Sequence, residues 1–487
     1  MPGLYVVDAL GVQKRIPILP GRPVPAGSPF VGQSGVASGL YDVTVPVALP
    51  AASGVASGVY DVSEASSQWT PNDLVRNAPR PTGPEYVRWE DYYQSSDTAA
   101  DGSIDMQAVF NRVPAGPTGY EKRIVTMPAG TFVFSGFDNG ATGMDGIALG
   151  SNGAANVRGI VGSGFDNTII KPLANSATKR ASGAPTYGAM INIRNMTSPK
   201  FANFRMTGTP QVLAGETLYG SGLVLNDCPT PDISLCLRGA SPGYANFPPG
   251  ETFGIAINRC NGAYLHDFDI DGRDAQGNRV CASPFGWNGS GGLSVWQTGG
   301  TESQYVQDAR VERGICIAGR CGMPTWWMTN GIQTVDLWSV SSGSGTGDQS
   351  GSGFNHEMYG SKPVTHIRPV LLCWGPQNAG KTLPAPLPNL ATTNNAGFTT
   401  GLHTVYGLQS GGLPGQVSFI EPLWDKTFSG TGTFIAAMYD HWEGITANRA
   451  RLRDPIIVKN GVTLTPRHHP TTGWNQGNPA TEYAQIH

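Results

Sequence analysis

The chain has 487 residues, with 66 Gly, 38 Pro, 14% charged residues and a formal net charge of -3. That composition is turn-rich and weakly charged, yet a hydrophobic share of 39% is enough to build a core, which excludes wholesale disorder. It also excludes a broad positive field, so nucleic acid is not an expected partner, and no apolar run reaches the roughly 18 residues that a membrane span needs.

The start, Met1-Pro2-Gly3-Leu4-Tyr5, has no basic region followed by an apolar stretch, so synthesis in a cytoplasm without the usual export signal is expected. Residues 1–90 read as an extended N-terminal segment, dense at first in Pro, Gly, Ala, Ser and Val. Within it the stretch 34–43, from Ser34 to Val43, returns almost unchanged at 53–62. Each copy reads as a short strand with a glycine turn that buries too little alone and needs neighbouring chains or a docking partner. A flexible linker is the other reading of this composition.

Residues 91–143 carry two local signals. Asp105 precedes Met106-Gln107-Ala108-Val109-Phe110, which predicts a short helix capped by Asp105, with Val109 and Phe110 facing inward. The stretch from Arg123 to Phe134 then reads as a strand, a Pro128-Ala129-Gly130 turn and a second strand. This helix, strand, turn, strand sequence resembles the opening of pectate-lyase-like β-helix proteins, in which a capping helix covers the first coil. Phage tailspikes often open this way.

From 144 to 458 the chain repeats a unit: an apolar strand, a turn of Asn, Gly, Cys or Pro, an alternating strand, and a Gly-rich loop. Ile191–Met206, Leu223–Leu237 and Ile255–Ile270 align, with Pro199 on Pro231, Phe204 near Cys236, and Cys228 on Cys260. Further units begin near Leu293, Trp326, Phe354, Leu402 and Phe434, giving about nine in all. The expected fold is therefore all-β, a right-handed parallel β-helix or solenoid, each strand pairing with the coils above and below. An antiparallel sandwich is the structural rival. The seven cysteines are odd in number, widely spread and lack CxxC pairs, so buried thiols are expected in place of a disulfide framework. Residues 459–487 lose the pattern and read as a C-terminal tail or cap; its His468-His469 doublet has no third ligand at suitable spacing, and no metal or cofactor is assigned.

Glycan surfaces need flat rings for sugar faces and carboxylates or amides for hydroxyls. Trp296, Trp326, Trp327 and Trp374 are candidates to line such a surface, with Trp338 assigned to the core by alignment on Phe268; plain packing is the competing role for all of them. Alternation in His266-Asp267-Phe268-Asp269-Ile270-Asp271 sends Phe268 and Ile270 inward and the acids outward. The next unit, Gln307-Asp308-Ala309-Arg310-Val311-Glu312, then places Glu312 beside Asp271 and Arg310 beside Asp269. Asp269, Asp271 and Glu312 become candidate catalytic carboxylates and Arg310 a candidate binding cation. A solvated charge ladder is the other reading. Glu357 falls at the turn position of Asn226 and Asn258, and Asp440 with Trp442 form a further candidate binding pair.

The resemblance implies a phage tail-fibre, tailspike or minor tail protein: a virion subunit, homotrimeric, docked to the tail tip or baseplate by its N-terminal segment and binding a host surface glycan. Arginine outnumbers lysine more than twofold, and this with the coil style is similar to minor tail proteins of actinobacteriophages. The alternative is a tailspike depolymerase that hydrolyses or eliminates a surface polysaccharide.

Overall fold

A computed structural model describes residues 5–7, 13–15, 69–134, 137–138, 144–151, 153–173, 189–207, 221–238, 253–271, 283–288, 306–317, 325–327, 329–341, 351–357, 361–373, 399–404, 417–424, 434–438, 456–459, 462–464 and 484–486. It divides into two compact units, Met1–Ser66 and Ser67–His487. In the first, Tyr5–Val7 pairs antiparallel with Gln13–Arg15. The 34–43 and 53–62 repeat lies outside the described residues.

Among the described residues the second unit is built almost wholly from strands, nearly all of them in a sixteen-stranded and a ten-stranded sheet. Successive strands alternate between them. Ala189–Arg194, Ser221–Asn226 and Phe253–Asn258 pair in parallel in the ten-stranded sheet, and Lys200–Thr207, Asp232–Arg238 and Tyr264–Asp271 do so in the other. The register sets Ile191 against Leu223 and Leu223 against Ile255, as the repeat predicts. An antiparallel sandwich is ruled out by these parallel ladders. The unit expected to begin near Leu293 has its strand earlier, at Ser283–Asn288; Leu293 itself lies outside the described residues.

Two kinds of corner shape each passage. The first is the turn between sheets: Asn195, Asp227 and Arg259 open it with φ of 53°, 56° and 52°, and Ser198, Thr230 and Gly262 close it with φ of 48°, 52° and 64°. Met196, Cys228 and Cys260 are the buried residues of this turn. The second corner bends most of the long strands of the sixteen-stranded sheet at a left-handed residue, Asn203, Asp267, Arg313 and Asp336, then Arg368 and Glu421 where the strand is interrupted; Asp232–Arg238 has none, and its register slips against both neighbours there. Asn and Asp tolerate this conformation because their short polar groups bond locally. That bend explains why the sheet forks, with Val364–Ile367 and Val370–Cys373 both pairing the single strand Thr329–Ser341.

The main core lies between the sheets, where Phe201, Ile233, Leu265 and Val311 stand in register and share one cluster with Ile191, Leu223 and Ile255. Phe268 fills its level so fully that a Cβ on the register-paired Gly314 would sit 2.1 Å from the ring, which explains the glycine.

Both ends are closed. At the first, the predicted helix forms as Met106–Asn111, capped by Asp105 accepting from the Ala108 amide at 2.9 Å, with Val109 and Phe110 buried. Gln107 then completes the edge strand Ile147–Gly150: its Oε1 accepts from the Ala148 amide at 2.7 Å and its Nε2 donates to the Ala148 carbonyl at 3.0 Å. A side-chain amide here substitutes for a missing strand. At the other end, antiparallel strands Val462–Leu464 and Ala484–Ile486 join the two sheets.

Residues 69–78 form a strap over the outer side of the sixteen-stranded sheet. Leu74 is buried and Trp69 partly buried against Phe165, Cys236, Ile315, Ile317, Trp338 and Val370, a second apolar cluster outside the main core. Ala78 donates to the Ser163 carbonyl at 3.2 Å, and Asn77 bridges Gly164. Gly164, at φ 129°, is needed because a Cβ would meet the Arg76 carbonyl oxygen at 2.4 Å.

Candidate functional site

The strands Tyr264–Asp271 and Val306–Ile317 run parallel with Leu265 set on Val311 in the core. Alternation therefore turns Tyr264, His266, Arg310 and Glu312 to the outer side. The corner residues Asp267 and Arg313 follow, and their left-handed backbone brings both side chains back to the same side as His266 and Glu312. The neighbouring strands add Lys200 and Asp232, which share the register position of Tyr264 and Arg310.

These side chains form one continuous network. Lys200 Nζ donates to Asp232 Oδ2 at 2.7 Å, and His266 Nε2 faces Asp232 Oδ1 at 2.8 Å. His266 Nδ1 faces Asp267 Oδ2 at 2.7 Å, and Asp267 takes two hydrogen bonds from Arg313, 2.7 Å from Nε and 2.8 Å from Nη2. Arg313 Nη1 reaches Glu312 Oε2 at 3.2 Å, the Tyr264 hydroxyl donates to that same oxygen at 2.6 Å, and Arg310 Nε donates to Glu312 Oε1 at 2.7 Å. Tyr264 also stacks on His266 at 4.3 Å with 18° between planes, and the Arg310 guanidinium lies 5.1 Å from the Tyr264 ring centre.

With a carboxylate at each ring nitrogen, His266 satisfies both only as the imidazolium, which has two N–H donors. Burial opposes that charge, but Asp232 and Asp267 outweigh it and raise His266 above its ordinary value. Burial likewise acts against the two carboxylates; His266 and Lys200 overcome it at Asp232, Arg313 and His266 at Asp267, and each is held at about 2. Burial and the adjacent Glu312 push Tyr264 upward. The network thus sets carboxylates between cationic partners with a phenol donor among them, a set suited to gripping polar groups.

The structure corrects the sequence-derived juxtaposition of acids. Glu312 stands in register with His266, not beside Asp271, and Arg310 with Tyr264, not beside Asp269; Asp269 and Asp271 face Ile315 and Ile317. The strand runs on past Glu312 to Ile317, so Ile315 and Ile317, not Arg310 and Glu312, reach the level of Asp269 and Asp271. Nor do the three form an exposed pair, since Asp269, Asp271 and Glu312 are 4%, 7% and 6% exposed. Asp269 lies under the strap, bonded to Arg76 Nη2 at 2.8 Å and to Arg238. Burial would raise its carboxyl; the two guanidiniums prevail and hold it below the ordinary range. Trp338 is corrected too: it stands on Ile315, not at the level of Phe268, and is buried in the outer cluster beneath the strap.

Arg310, by contrast, has a side chain 55% exposed and lies within the network. Trp326 and Trp327 stand in register with Trp287 and Asn288 in the ten-stranded sheet, and Glu357 continues the column of Asn226, Asn258 and Asn288 as its spacing predicts. The side chains of Trp326 and Trp327, and Trp296, Trp374, Asp440 and Trp442 entirely, lie outside the described residues, as does the His468-His469 pair. Sequence reasoning missed Lys200, Asp232, Tyr264, His266 and Arg313. Their signal was the shared outward parity of polar residues in three consecutive units, legible only once the register is known. Among the described residues no group of three or more His, Cys, Asp and Glu is placed to hold a metal, and no helix is long and apolar enough to cross a membrane.

No family model matches the chain, and no curated protein matches it. Among solved structures it is similar to Geobacillus virus E2 ORF18, at 10% identity and a TM-score of 0.31, over 73% of this chain and 61% of that one. At that level the likeness carries no functional argument.

Proposed function

We propose that the chain is a bacteriophage tail subunit of the tail-fibre or tailspike kind, that its alternating passages wind as a right-handed parallel β-helix, and that the outer face around Arg310 and Tyr264 binds a host surface glycan. The alternation of parallel strands between two sheets supports the winding, and the Asp105-capped helix with its strand pair supports the resemblance to β-helix tail proteins. A homotrimer docked to the tail through residues 1–90 belongs to the same reading. Fold alone does not assign a ligand, so the site must.

The observation that carries the glycan reading is the state of Arg310. Its guanidinium is fixed by Glu312 and by the Tyr264 ring, yet the side chain is more than half exposed. A cation already ordered loses little rotamer freedom on binding, and its fork donates to vicinal hydroxyls or a sugar carboxylate. Glu312, in this reading, is the buried support of that cation and not an acid catalyst.

The test is binding of the purified full-length chain to an array of bacterial capsular, lipopolysaccharide and wall polysaccharides, with reducing ends followed in the same samples. Arg310→Ala is expected to weaken binding at least tenfold with the thermal midpoint unchanged. Full binding by that variant overturns the site, and no binding by wild type to any bacterial polysaccharide overturns the function. Release of reducing ends would assign a depolymerase.

A further inference from the structure

Cys228 and Cys260 occupy the same position in consecutive turns, each the second residue of a turn opened by Asp227 or Arg259. Both are fully buried and reduced. The Cys228 amide donates to Cys260 Sγ at 3.4 Å. Each sulfur is also anchored, Cys228 Sγ at 3.2 Å from the Asn226 carbonyl oxygen and Cys260 Sγ at 3.1 Å from that of Asn258. Asn226 and Asn258 are themselves paired in the parallel ladder. Adjacent strands lie about 4.8 Å apart, inside the Cα separation of roughly 4.4–6.8 Å that a disulfide spans.

We infer that Cys228 and Cys260 form a cross-turn disulfide when the protein leaves a reducing cytoplasm, a covalent staple between consecutive passages. The inference is independent of the glycan reading. With a small disulfide such as oxidised glutathione as oxidant, the Cys228 thiolate attacks one glutathione sulfur and releases one glutathione thiolate. Cys260, having lost its proton to water, then attacks Cys228 Sγ and releases the second. Both protein thiols are oxidised, the glutathione disulfide is reduced to two thiols, and no other reactant is needed. Their mutual proximity holds the Cys228 thiol below its ordinary value and pushes that of Cys260 above it, which makes Cys228 the first thiolate. Access comes through the turn itself, where Pro229 and Thr230 are exposed. Cys236 and Cys316 lie in different clusters, Cys236 in register with Asp269 and Cys316 with Ile270 and Ser339, and serve as internal controls.

The experiment incubates the native full-length chain with oxidised glutathione, blocks remaining thiols under denaturing conditions, and maps peptides by mass spectrometry. The expected result is a peptide linking Cys228 to Cys260, loss of both as alkylatable thiols, and a raised thermal midpoint that reductant reverses. Recovery of both residues as alkylated thiols, or their linkage to other cysteines, overturns the inference. Because Cys228→Ser and Cys260→Ser each keep the small buried side chain, a second measurement is available: each variant should lose the midpoint shift on oxidation, and a shift retained in either one overturns the staple.

Discussion

Arg313 and Asp267 stand one above the other at consecutive left-handed corners, and the guanidinium of the first closes two hydrogen bonds, 2.7 and 2.8 Å, on the carboxylate of the second. The motif recurs between Arg368 and Asp336, at 2.8 Å twice. Charge thus alternates at the places where the backbone is least able to supply its own regular bonding.

The Asp267 and Arg313 side chains are 36% and 30% exposed, so the pair is worth little more than a surface bridge. Asp267→Asn and Arg313→Ala, singly and together, are expected to show a coupling of about 0.5–1 kcal/mol in denaturant unfolding. A coupling of zero would remove the pair from the account of the corner.

The pH profile follows from His266 and its two carboxylates. His266 is raised in the folded state, so its contribution is complete below its unfolded value near 6.5 and is lost as pH rises through the higher folded one. Asp232 and Asp267, lowered to about 2, contribute above roughly 3.9 and lose that contribution as pH falls toward their folded values. The thermal midpoint should therefore be highest between about 4 and 6.5 and decline on both sides. His266→Gln should flatten the alkaline decline, and an unchanged decline would assign it elsewhere.

Gln107→Ala strips the Ala148 amide of its partner at a buried edge, while the Ala148 carbonyl keeps the Ala154 amide at 3.0 Å. One orphaned backbone donor costs about 1–3 kcal/mol. Hydrogen exchange at Ala148 should accelerate more than at Leu225, deep in the same sheet; equal acceleration at both would mean the helix supports the whole unit and not its edge.

Asp269→Ala leaves Arg76 and Arg238 facing each other under the strap without their shared carboxylate. A loss of about 3–5 kcal/mol is expected, and much of it should return when both arginines are also changed to Met. Glycan binding by the refolded triple variant should match wild type, because none of the three residues belongs to the network around Arg310.

Much of the fold is legible in the sequence because its determinants are local. Asp105 announces the helix, and the repeated positions of Pro199 and Pro231, and of Cys228 and Cys260, give the alignment of three passages. The site is harder because it depends on the register between neighbouring strands. Arg313 is an ordinary arginine in the sequence; its φ of 47° turns its side chain back onto Asp267, while the pairing that sets Glu312 on His266 keeps one register on both sides of the bend and is fixed only by the neighbouring strand. Trp338 fails for a related reason. Alternation tells which residues share a face, but not that a strap 69–78 buries the outer one.

The closures at Gln107 and at the two final antiparallel strands are indifferent to how many passages lie between them. Each passage bonds only to its neighbours, and the turns at 195, 227 and 259 recur with the same conformation. Length is then a separable variable: removing or duplicating one whole passage, from Cys228 to Arg259, preserves every pairing surface at the junction. A lineage could alter reach in such quanta while inheriting both terminations unchanged.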